Sequence, residues 1–274
     1  MTIREIEDAD LGSVIALPTE GFPRRQDRFW RRGLENMRAL PPESGFPRFG
    51  YLIEEAEAVQ RVILLLATEI EHEAPRANIA CWYVREPYRT KAPILYRLAS
   101  IHDRMTYTNL TPASNVIPIV KAFGFRPYTM GVCLLTPGDA LRPSLGWSLP
   151  RDLTERASDI DTVAARHQAY GCRVIRIAHD NHGFETVIYR IKWLKDLLPC
   201  AQILYGTPDH VLEARGPLMR HLLGKAIPFA LVDVDSATDI GDARFYAERN
   251  SRYSKGGRPN AGDMLDSELA LFGP

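Results

Sequence analysis

The sequence predicts an α/β protein in which two similar units, each with a mixed sheet, follow one another along the chain. Strand patterns and helix patterns alternate from one end to the other. Residues 136–150 contain three Pro and two Gly and separate two such runs of elements. The order of the elements repeats after that segment. We therefore expect one unit over residues 1–140 and a second over residues 151–274.

The first run begins with a short strand and two helices. Asp10 can cap the first helix, because its carboxylate can accept hydrogen bonds from the N–H groups of the first turn. In the second helix, Trp30, Leu34 and Met37 recur at helical spacing. The expected elements are a strand at 2–6, helices from residue 10 and over 24–37, a hairpin of strands at 48–54 and 58–69, a strand at 77–84, a helix from residue 90, a strand at 105–109, a helix at 112–123 and a strand at 128–135.

The second run has the same order. Its first helix has Ile160, Val163 and His167 on one face and ends before Gly171, a residue that favours helix C-termini. The expected elements are a helix at 159–170, strands at 173–179, 184–193 and 201–205, a helix at 213–225 and a strand at 228–234.

A shift of 124 residues places the second run on the first. It superposes hairpin turn on hairpin turn, strand on strand and helix start on helix start. Within residues 77–98 it also gives four identities in 22 pairs, which are Ala77 with Ala201, Ile79 with Ile203, Pro93 with Pro217 and Leu98 with Leu222. The sequence therefore predicts an internal repeat.

The composition excludes several classes of protein. Lys and Arg number 34 and Asp and Glu number 34, so the net charge of 34 − 34 = 0 does not favour nucleic-acid binding. The longest apolar run, 62–67, is far shorter than the roughly 20 residues that span a bilayer, and the N-terminus has no signal-peptide core. The four cysteines form no CxxC motif. We expect a cytoplasmic protein with reduced thiols.

Two segments resemble conserved parts of one known superfamily. Val84–Ile94, with the sequence VREPYRTKAPI, is similar to a strand-to-helix loop whose usual form is a Val, an Arg or Gln five residues later, and then xxGxG/A. The segment 115–125, NVIPIVKAFGF, is similar to a late helix that commonly ends in Gly-Phe. These segments and the element order resemble the GNAT superfamily of acyl-CoA-dependent N-acyltransferases. The resemblance covers nearly all of residues 1–135 and, more faintly, 155–250.

The resemblance implies a site for acetyl-CoA or another acyl-CoA in the loop 85–93. A helix N-terminus presents unpaired N–H groups and a positive dipole end, which suit a pyrophosphate. Three features depart from the usual pattern, because Ala92 and Ile94 stand where glycines are usual and Pro93 lacks an N–H donor. The residues that the resemblance implies for acyl-CoA are Val84, Arg85, Arg89, Thr90, Lys91, Ala92, Pro93 and Asn115.

The resemblance implies acyl transfer to an amine and points to two candidate catalytic residues. The superfamily's late helix often carries a Tyr four residues before its Gly, as an acid toward the departing thiolate, and here that position is Val120. In the second unit, 243–250 resembles that helix and carries Tyr246 four residues before Asn250. Tyr83, on the strand 77–84, is the other candidate. We expect the first unit to hold the acyl-CoA and the second to form a wall of the acceptor cleft.

Other functions remain open at this stage. A non-catalytic binding or interaction module is favoured by the missing glycines and by Val120. A tandem aminoacyl transferase that uses charged tRNA is disfavoured by the zero net charge. The pair His179 and His182 lies on a hairpin turn, and Asp233 and Asp235 form a common short motif, so we expect no metal site. The expected acceptor is a small-molecule or peptide amine, and a homodimer is compatible with the sequence.

Overall fold

The computed structural model describes residues 1–40, 45–55, 57–68, 75–153, 162–181, 183–195 and 197–273, without the side chains of Thr90 and Lys91. The chain forms two compact units. The first contains Met1–Pro127, Arg252–Pro259 and Asp266–Phe272, and the second contains the remaining segments. Each unit is built on one seven-stranded sheet. Two mixed sheets with helices confirm the predicted fold class.

The first unit has an antiparallel meander of four strands followed by a parallel step. Its strand order is β1-β2-β3-β4-β5-β14-β6, and only β4 and β5 run parallel. Its elements are β1 (Thr2–Glu5), α1 (Leu11–Gly21), α2 (Asp27–Ala39), β2 (Gly50–Glu55), β3 (Ala58–Thr68), β4 (Arg76–Val84), α3 (Pro93–Ala99), β5 (Thr106–Asn109), α4 (Ile117–Ala122), β6 (Arg126–Pro127), β14 (Tyr253–Lys255) and α8 (Glu268–Leu271).

The second unit repeats this plan. Its strand order is β8-β9-β10-β11-β12-β7-β13, with β11 and β12 parallel. Its elements are β7 (Gly131–Leu135), β8 (Arg151–Asp152), α5 (Thr162–Ala169), β9 (Arg173–His179), β10 (Gly183–Leu194), β11 (Leu198–Tyr205), α6 (Pro208–Glu213), α7 (Arg215–Gly224), β12 (Phe229–Val234) and β13 (Arg244–Ala247).

The register of the two sheets follows the 124-residue shift on β4 and β11 and differs from it by one residue on β5 and β12. In the first sheet 76–78 pair with 106–108, and in the second 200–202 pair with 229–231. Each unit also has a β-bulge in the strand that precedes its parallel step. Ala80 is left out of the pairing between β3 and β4, and Leu204 is left out between β10 and β11. The predicted repeat is therefore present in the strand pairing, and the two bulges lie 124 residues apart.

The sixth strand of each sheet comes from a distant part of the chain. β14 lies between β5 and β6, while β7 lies between β12 and β13. The compact units therefore differ from the predicted 1–140 and 151–274, and the segment 136–150 lies inside the second unit. Its Pro and Gly residues do interrupt the regular elements. They carry no information about which sheet the preceding strand joins, because strand pairing is a non-local interaction.

Each unit has its own apolar core. In the first, Ile63, Ile79 and Tyr107 from the sheet pack with Leu95 of α3 and Val120 of α4. In the second, the core forms between the sheet and α6 and α7. All four cysteines are buried and free. Within the described part of the chain, no helix combines the length and apolar character needed to cross a bilayer.

Several predicted elements have different bounds or a different type. α3 begins at Pro93 rather than at residue 90, and α4 covers only Ile117–Ala122 of the predicted 112–123. The predicted helix 213–225 is α7, Arg215–Gly224, and a separate short helix, α6, precedes it over Pro208–Glu213. The prediction of a helix over 243–250 is wrong, because 244–247 form β13. Phe245 packs into the core while its neighbours are exposed, which is the alternation of a strand.

Candidate active site

The sheet of the first unit opens between β4 and β5. The pairing of these strands extends over three residue pairs and ends at Asn78 and Thr108. β4 continues to Val84, whereas β5 ends at Asn109. The bulge at Ala80 lies at the start of this opening and bends β4 locally. Backbone groups of β4 beyond Asn78 therefore have no partner from β5 and can face a ligand.

Polar side chains from three segments meet at the closed end of this opening. Asn78 donates from Nδ2 to Thr108 Oγ1 at 3.1 Å and accepts at Oδ1 from the backbone N–H of Glu268 at 3.0 Å. Thr111, just beyond β5, donates from Oγ1 to Glu268 Oε1 at 2.9 Å. The first residue of α8 is thereby held against both strands. A carboxyl group from the end of the chain lies where the parallel pairing stops.

The carboxyl group of Glu268 is buried with one oxygen engaged. The residue is 7% exposed, and Oε2 has no hydrogen-bond partner among the described residues. Burial raises the pKa of Glu268 to about 7, although the Thr111 hydrogen bond and the charge of Arg252 act in the opposite direction. Burial and the nearby Glu268 both raise the pKa of the Cys81 thiol, so this thiol is protonated at neutral pH. A proton acceptor poised near neutrality therefore lies beside β4.

Tyr83 lies near the far end of β4, against the C-terminus of α1. A Cβ added to Gly21 would overlap the ring of Tyr83, so only glycine permits this close approach. The ring of Phe22 lies 6.0 Å from that of Tyr83, centroid to centroid. Partial burial and the charge of Glu20 raise the pKa of Tyr83. The junction of α1 and α2 therefore covers this end of β4.

Val84 and Arg85, two of the residues predicted to hold acyl-CoA, make contacts within the protein instead. Val84 is buried at the end of β4. Arg85 donates to Glu20 Oε2 from Nε at 3.0 Å and from Nη2 at 2.9 Å, and to Gln60 Oε1 from Nη1 at 3.2 Å. Its guanidinium group therefore braces the junction after α1 and does not stand free beside the loop.

The loop between β4 and α3 is coiled as a 3₁₀ helix, Glu86–Lys91. The N–H of Tyr88 donates to the carbonyl three residues earlier at 2.9 Å, and the N–H of Ala92 donates to Arg89 at 3.0 Å. These two donors are already used inside the loop. A pyrophosphate would have to bind the remaining N–H groups or open this coil.

Charged and polar side chains remain at the surface of the loop. The side chain of Arg89 is 63% exposed, and its guanidinium lies 4.0 Å from the carboxylate of Glu86. Pro93, the first residue of α3, is exposed, and Asn115 is exposed ahead of α4. Among the residues predicted to contact phosphate whose side chains the structure describes, Arg89 is the cation that is exposed at the surface.

A buried arginine of β3 contacts the loop between β4 and α3. Arg61 of β3 is fully buried and donates from Nη2 to Glu55 at 3.0 Å and from Nε to the carbonyl of Tyr88 at 3.3 Å. Its guanidinium also lies 5.0 Å from the centre of the Tyr88 ring. The loop is therefore anchored to the hairpin of β2 and β3.

The corresponding loop of the second unit is filled by the chain itself. A Cβ on Gly216, at the start of α7, would lie 2.7 Å from the carbonyl oxygen of Arg142. Asp139 lies 3.7 Å from Arg215, and Asp242 pairs with both Arg142 and Arg215. The arginines at the place where the repeat would put a phosphate are therefore already paired with carboxylates, and a backbone carbonyl lies against Gly216.

The remaining sequence candidates lie elsewhere in the second unit. Tyr246 is 38% exposed on β13, where it pairs with Val132, so it does not occupy a late helix. His179 bonds the backbone of Leu145 at 3.2 Å, and His182 lies outside the described residues. In the residues that the structure covers, no cluster of three or more His, Cys, Asp or Glu could hold a metal ion.

Sequence reasoning missed Glu268. A Ser before the short apolar run ELALF is a weak helix-start signal, and nothing local indicates that this helix would lie against β4. The contact between Thr111 and Glu268 spans 157 residues. Only the folded first unit brings the two side chains together.

The chain is similar in structure to solved proteins whose names place them among the acyltransferases. Over 92% of its length it resembles a GCN5-related N-acetyltransferase from Anabaena variabilis, with 10% identity, a TM-score of 0.61 and 71% of that chain covered. Over 99% it resembles a Pyrococcus horikoshii protein provisionally named an acetyltransferase, with 14% identity, a TM-score of 0.55 and 93% covered. Over 93% it resembles an Enterococcus faecalis protein provisionally named an N-acyltransferase, with 11% identity, a TM-score of 0.55 and 71% covered.

No family profile matches the chain, and no curated protein matches its sequence. The structural similarity, at these low identities, concerns the fold. The strand order, the parallel step and the bulge recur in both units. The chain therefore has the fold of the GNAT N-acyltransferases, with two GNAT-like units in one polypeptide.

Proposed function

We propose that this protein is an N-acyltransferase that moves an acyl group, acetyl being the simplest, from acyl-CoA to an amine. The observation that carries the proposal is the open edge of β4 in the first unit, beyond the last pair of Asn78 with Thr108. An N–H on such an edge can hold a thioester carbonyl and stabilise the oxyanion that forms during attack. The acceptor is a small molecule or a peptide with a primary amine.

We place the acyl-CoA in the first unit. Its loop carries the exposed Arg89, which can make a charge-assisted hydrogen bond to a phosphate. In the second unit, Asp139 and Asp242 already neutralise Arg215, and the backbone of Arg142 lies against Gly216. A second acyl-CoA would have to displace these groups. The second unit then serves the acceptor or the stability of the chain.

The proposed reaction requires four steps. The acceptor ammonium loses a proton and becomes a nucleophilic amine. Its nitrogen attacks the thioester carbon, so a C–N bond forms and the carbonyl oxygen becomes an oxyanion. The C–S bond then breaks, and the nitrogen loses its second proton. The thiolate of coenzyme A takes up one proton, and its pKa, close to that of a cysteine at about 8.5, makes it a good leaving group without a strong acid.

A non-catalytic binding protein is the second candidate. The 3₁₀ helix Glu86–Lys91 favours it, because the N–H groups of Tyr88 and Ala92 already donate hydrogen bonds within the loop. Such a protein would bind acyl-CoA weakly, or another ligand, without transfer. Buried free cysteines and the use of acyl-CoA fit a cytoplasmic location for either function.

Calorimetric titration with acetyl-CoA, followed by a turnover assay, tests the proposal. Thiol release from acetyl-CoA is recorded with a panel of primary amines that includes polyamines, amino acids and short peptides. Arg89→Ala should weaken binding of acetyl-CoA about tenfold or more. The exposed Arg104 offers a matched control, because Arg104→Ala removes the same charge outside the loop. Binding without release of thiol across the panel would favour the second candidate.

A further inference from the structure

Glu268 is costly for the fold as it stands. A buried carboxylate normally has a cation or several donors around it, since burial penalises the charged form. Here Oε1 accepts from Thr111, while Oε2 has no partner among the residues that the structure describes. A glutamine of the same shape could keep the Thr111 bond without the charge. The ionised group is unfavourable on balance, because burial outweighs the hydrogen bond from Thr111 and the charge of Arg252 and raises the pKa of Glu268.

The carboxyl group lies where the pairing of β4 and β5 ends, at the opening in which the proposed reaction would take place. The backbone N–H of Glu268 is fixed to Asn78, the last β4 residue that pairs with β5. Thr111, just beyond the end of β5, fixes Oε1 from the other side of the opening. The carboxyl group is thus held at the closed end of the opening, beside the last β4 residue that pairs with β5. Proton transfer needs such a group within reach of the reacting nitrogen, directly or through one water.

The groups around the carboxyl set its proton affinity near neutrality. Asn78 and Thr111 form hydrogen bonds with Glu268, and both side chains are uncharged. The Cys81 thiol is also neutral, because its pKa is raised. Arg252, which precedes β14, is the positive group that lowers the pKa of Glu268. Burial outweighs these effects and raises the pKa of Glu268 to about 7. A general base works best when its pKa lies near the working pH.

We propose that Glu268 is the general base of acyl transfer, which makes the C-terminal segment 266–272 part of the active site of the first unit. This inference rests on the proposed function. Ionised Oε2 takes one proton from the acceptor ammonium, and the free amine then attacks the thioester carbon. Glu268 releases this proton to solvent after the product leaves. The proton that the nitrogen loses after attack goes to the departing thiolate, so protons and charge balance over one turnover.

Steady-state kinetics as a function of pH test the assignment in the full-length protein, with acetyl-CoA and the best amine of the panel. For the wild type, kcat/KM should rise through a pH near 7. Glu268→Gln should lower kcat/KM by about 100-fold or more, because general base catalysis contributes about 10²–10⁴-fold. Thr111→Val should move the rising limb to higher pH, because the Thr111 bond favours the charged carboxylate. Glu35→Gln, an exposed change on α2, should leave the profile unchanged.

The outcomes separate the two proposals. Full activity and an unmoved limb in Glu268→Gln would overturn the assignment of the base and leave acyl transfer standing. Absence of turnover in the wild type with every amine would overturn both. A loss of activity in Glu268→Gln with an unmoved limb in Thr111→Val would show that Glu268 acts only structurally, and would also overturn the assignment. Loss in the first variant together with a shifted limb in the second supports it.

Discussion

Thr111 Oγ1 donates a hydrogen bond of 2.9 Å to Glu268 Oε1, which joins the end of β5 to the first residue of the last helix. This bond holds a carboxyl group in an interior where its charge is unfavourable. It favours the ionised form but does not offset the burial, because the pKa of Glu268 is still raised to about 7. The stability of the fold must therefore depend on the protonation of this one group.

We predict that Glu268→Gln stabilises the protein in a pH-dependent manner. A carboxyl whose pKa rises from 4.5 unfolded to about 7 folded binds its proton more tightly in the folded state. Its favourable contribution is complete below pH 4.5 and is lost as the pH rises through 7. The amide keeps the neutral form at every pH, so the variant should gain about 3 kcal/mol over the wild type at pH 8 and little at pH 4. Urea unfolding at pH 4, 6 and 8 measures this difference. The same ΔΔG at all three pH values would contradict it.

We predict that Gly21→Ala destabilises the first unit by about 1–3 kcal/mol, the cost of overpacking a filled site. The added methyl group would overlap the ring of Tyr83. Gly12, in the same helix, has open space around its Cβ position, so Gly12→Ala should be neutral or stabilising by up to about 1 kcal/mol. Thermal unfolding of the two variants gives a matched comparison. Equal effects would mean that Tyr83 does not pack against the end of α1.

We predict one acetyl-CoA site per chain. The start of α7 is surrounded by Asp139, Asp242 and the backbone of Arg142, so Arg215→Ala should leave the affinity for acetyl-CoA unchanged. Arg89→Ala should reduce the affinity by about 1–3 kcal/mol, the range for a hydrogen bond to a charged group. Isothermal titration gives both the stoichiometry and the affinity. Two sites, or loss of binding in Arg215→Ala alone, would move the acyl-CoA to the second unit.

We predict that Arg61→Met loosens the loop between β4 and α3. The variant loses the bonds to Glu55 and to the carbonyl of Tyr88, and it leaves both groups without this partner. Stability should fall by about 1–3 kcal/mol. The KM for acetyl-CoA should rise, while the pH at which the rate increases should stay the same, because Arg61 is not among the groups that shift the pKa of Glu268. A moved pH limb with an unchanged KM would contradict this view.

The amino-acid sequence by itself determined the repeat and most of the local structure. The apolar runs of β3 and β4, and the apolar spacing in α2, are properties of neighbouring residues and are visible without a fold. The identities at a shift of 124 anticipated matching strands, and the two units place even their bulges at this spacing. Val120 is buried in α4, in the helix that its sequence predicts.

The tertiary structure alone decided which strand completes each sheet and which carboxyl group reaches the opening of the first. β7, β13 and β14 have partners far away in the chain, so the strand predicted at 128–135 was right as a strand, but its place in the second sheet was not predictable locally. Tyr246 was a candidate for a helix because its neighbours fit a helical motif, but pairing with β7 made the segment a strand. Glu268 lies in four helical residues at the end of the chain. Its place beside Asn78 comes from a hydrogen bond that only the folded chain makes. Its raised pKa comes from burial, which removes water from around the carboxyl group.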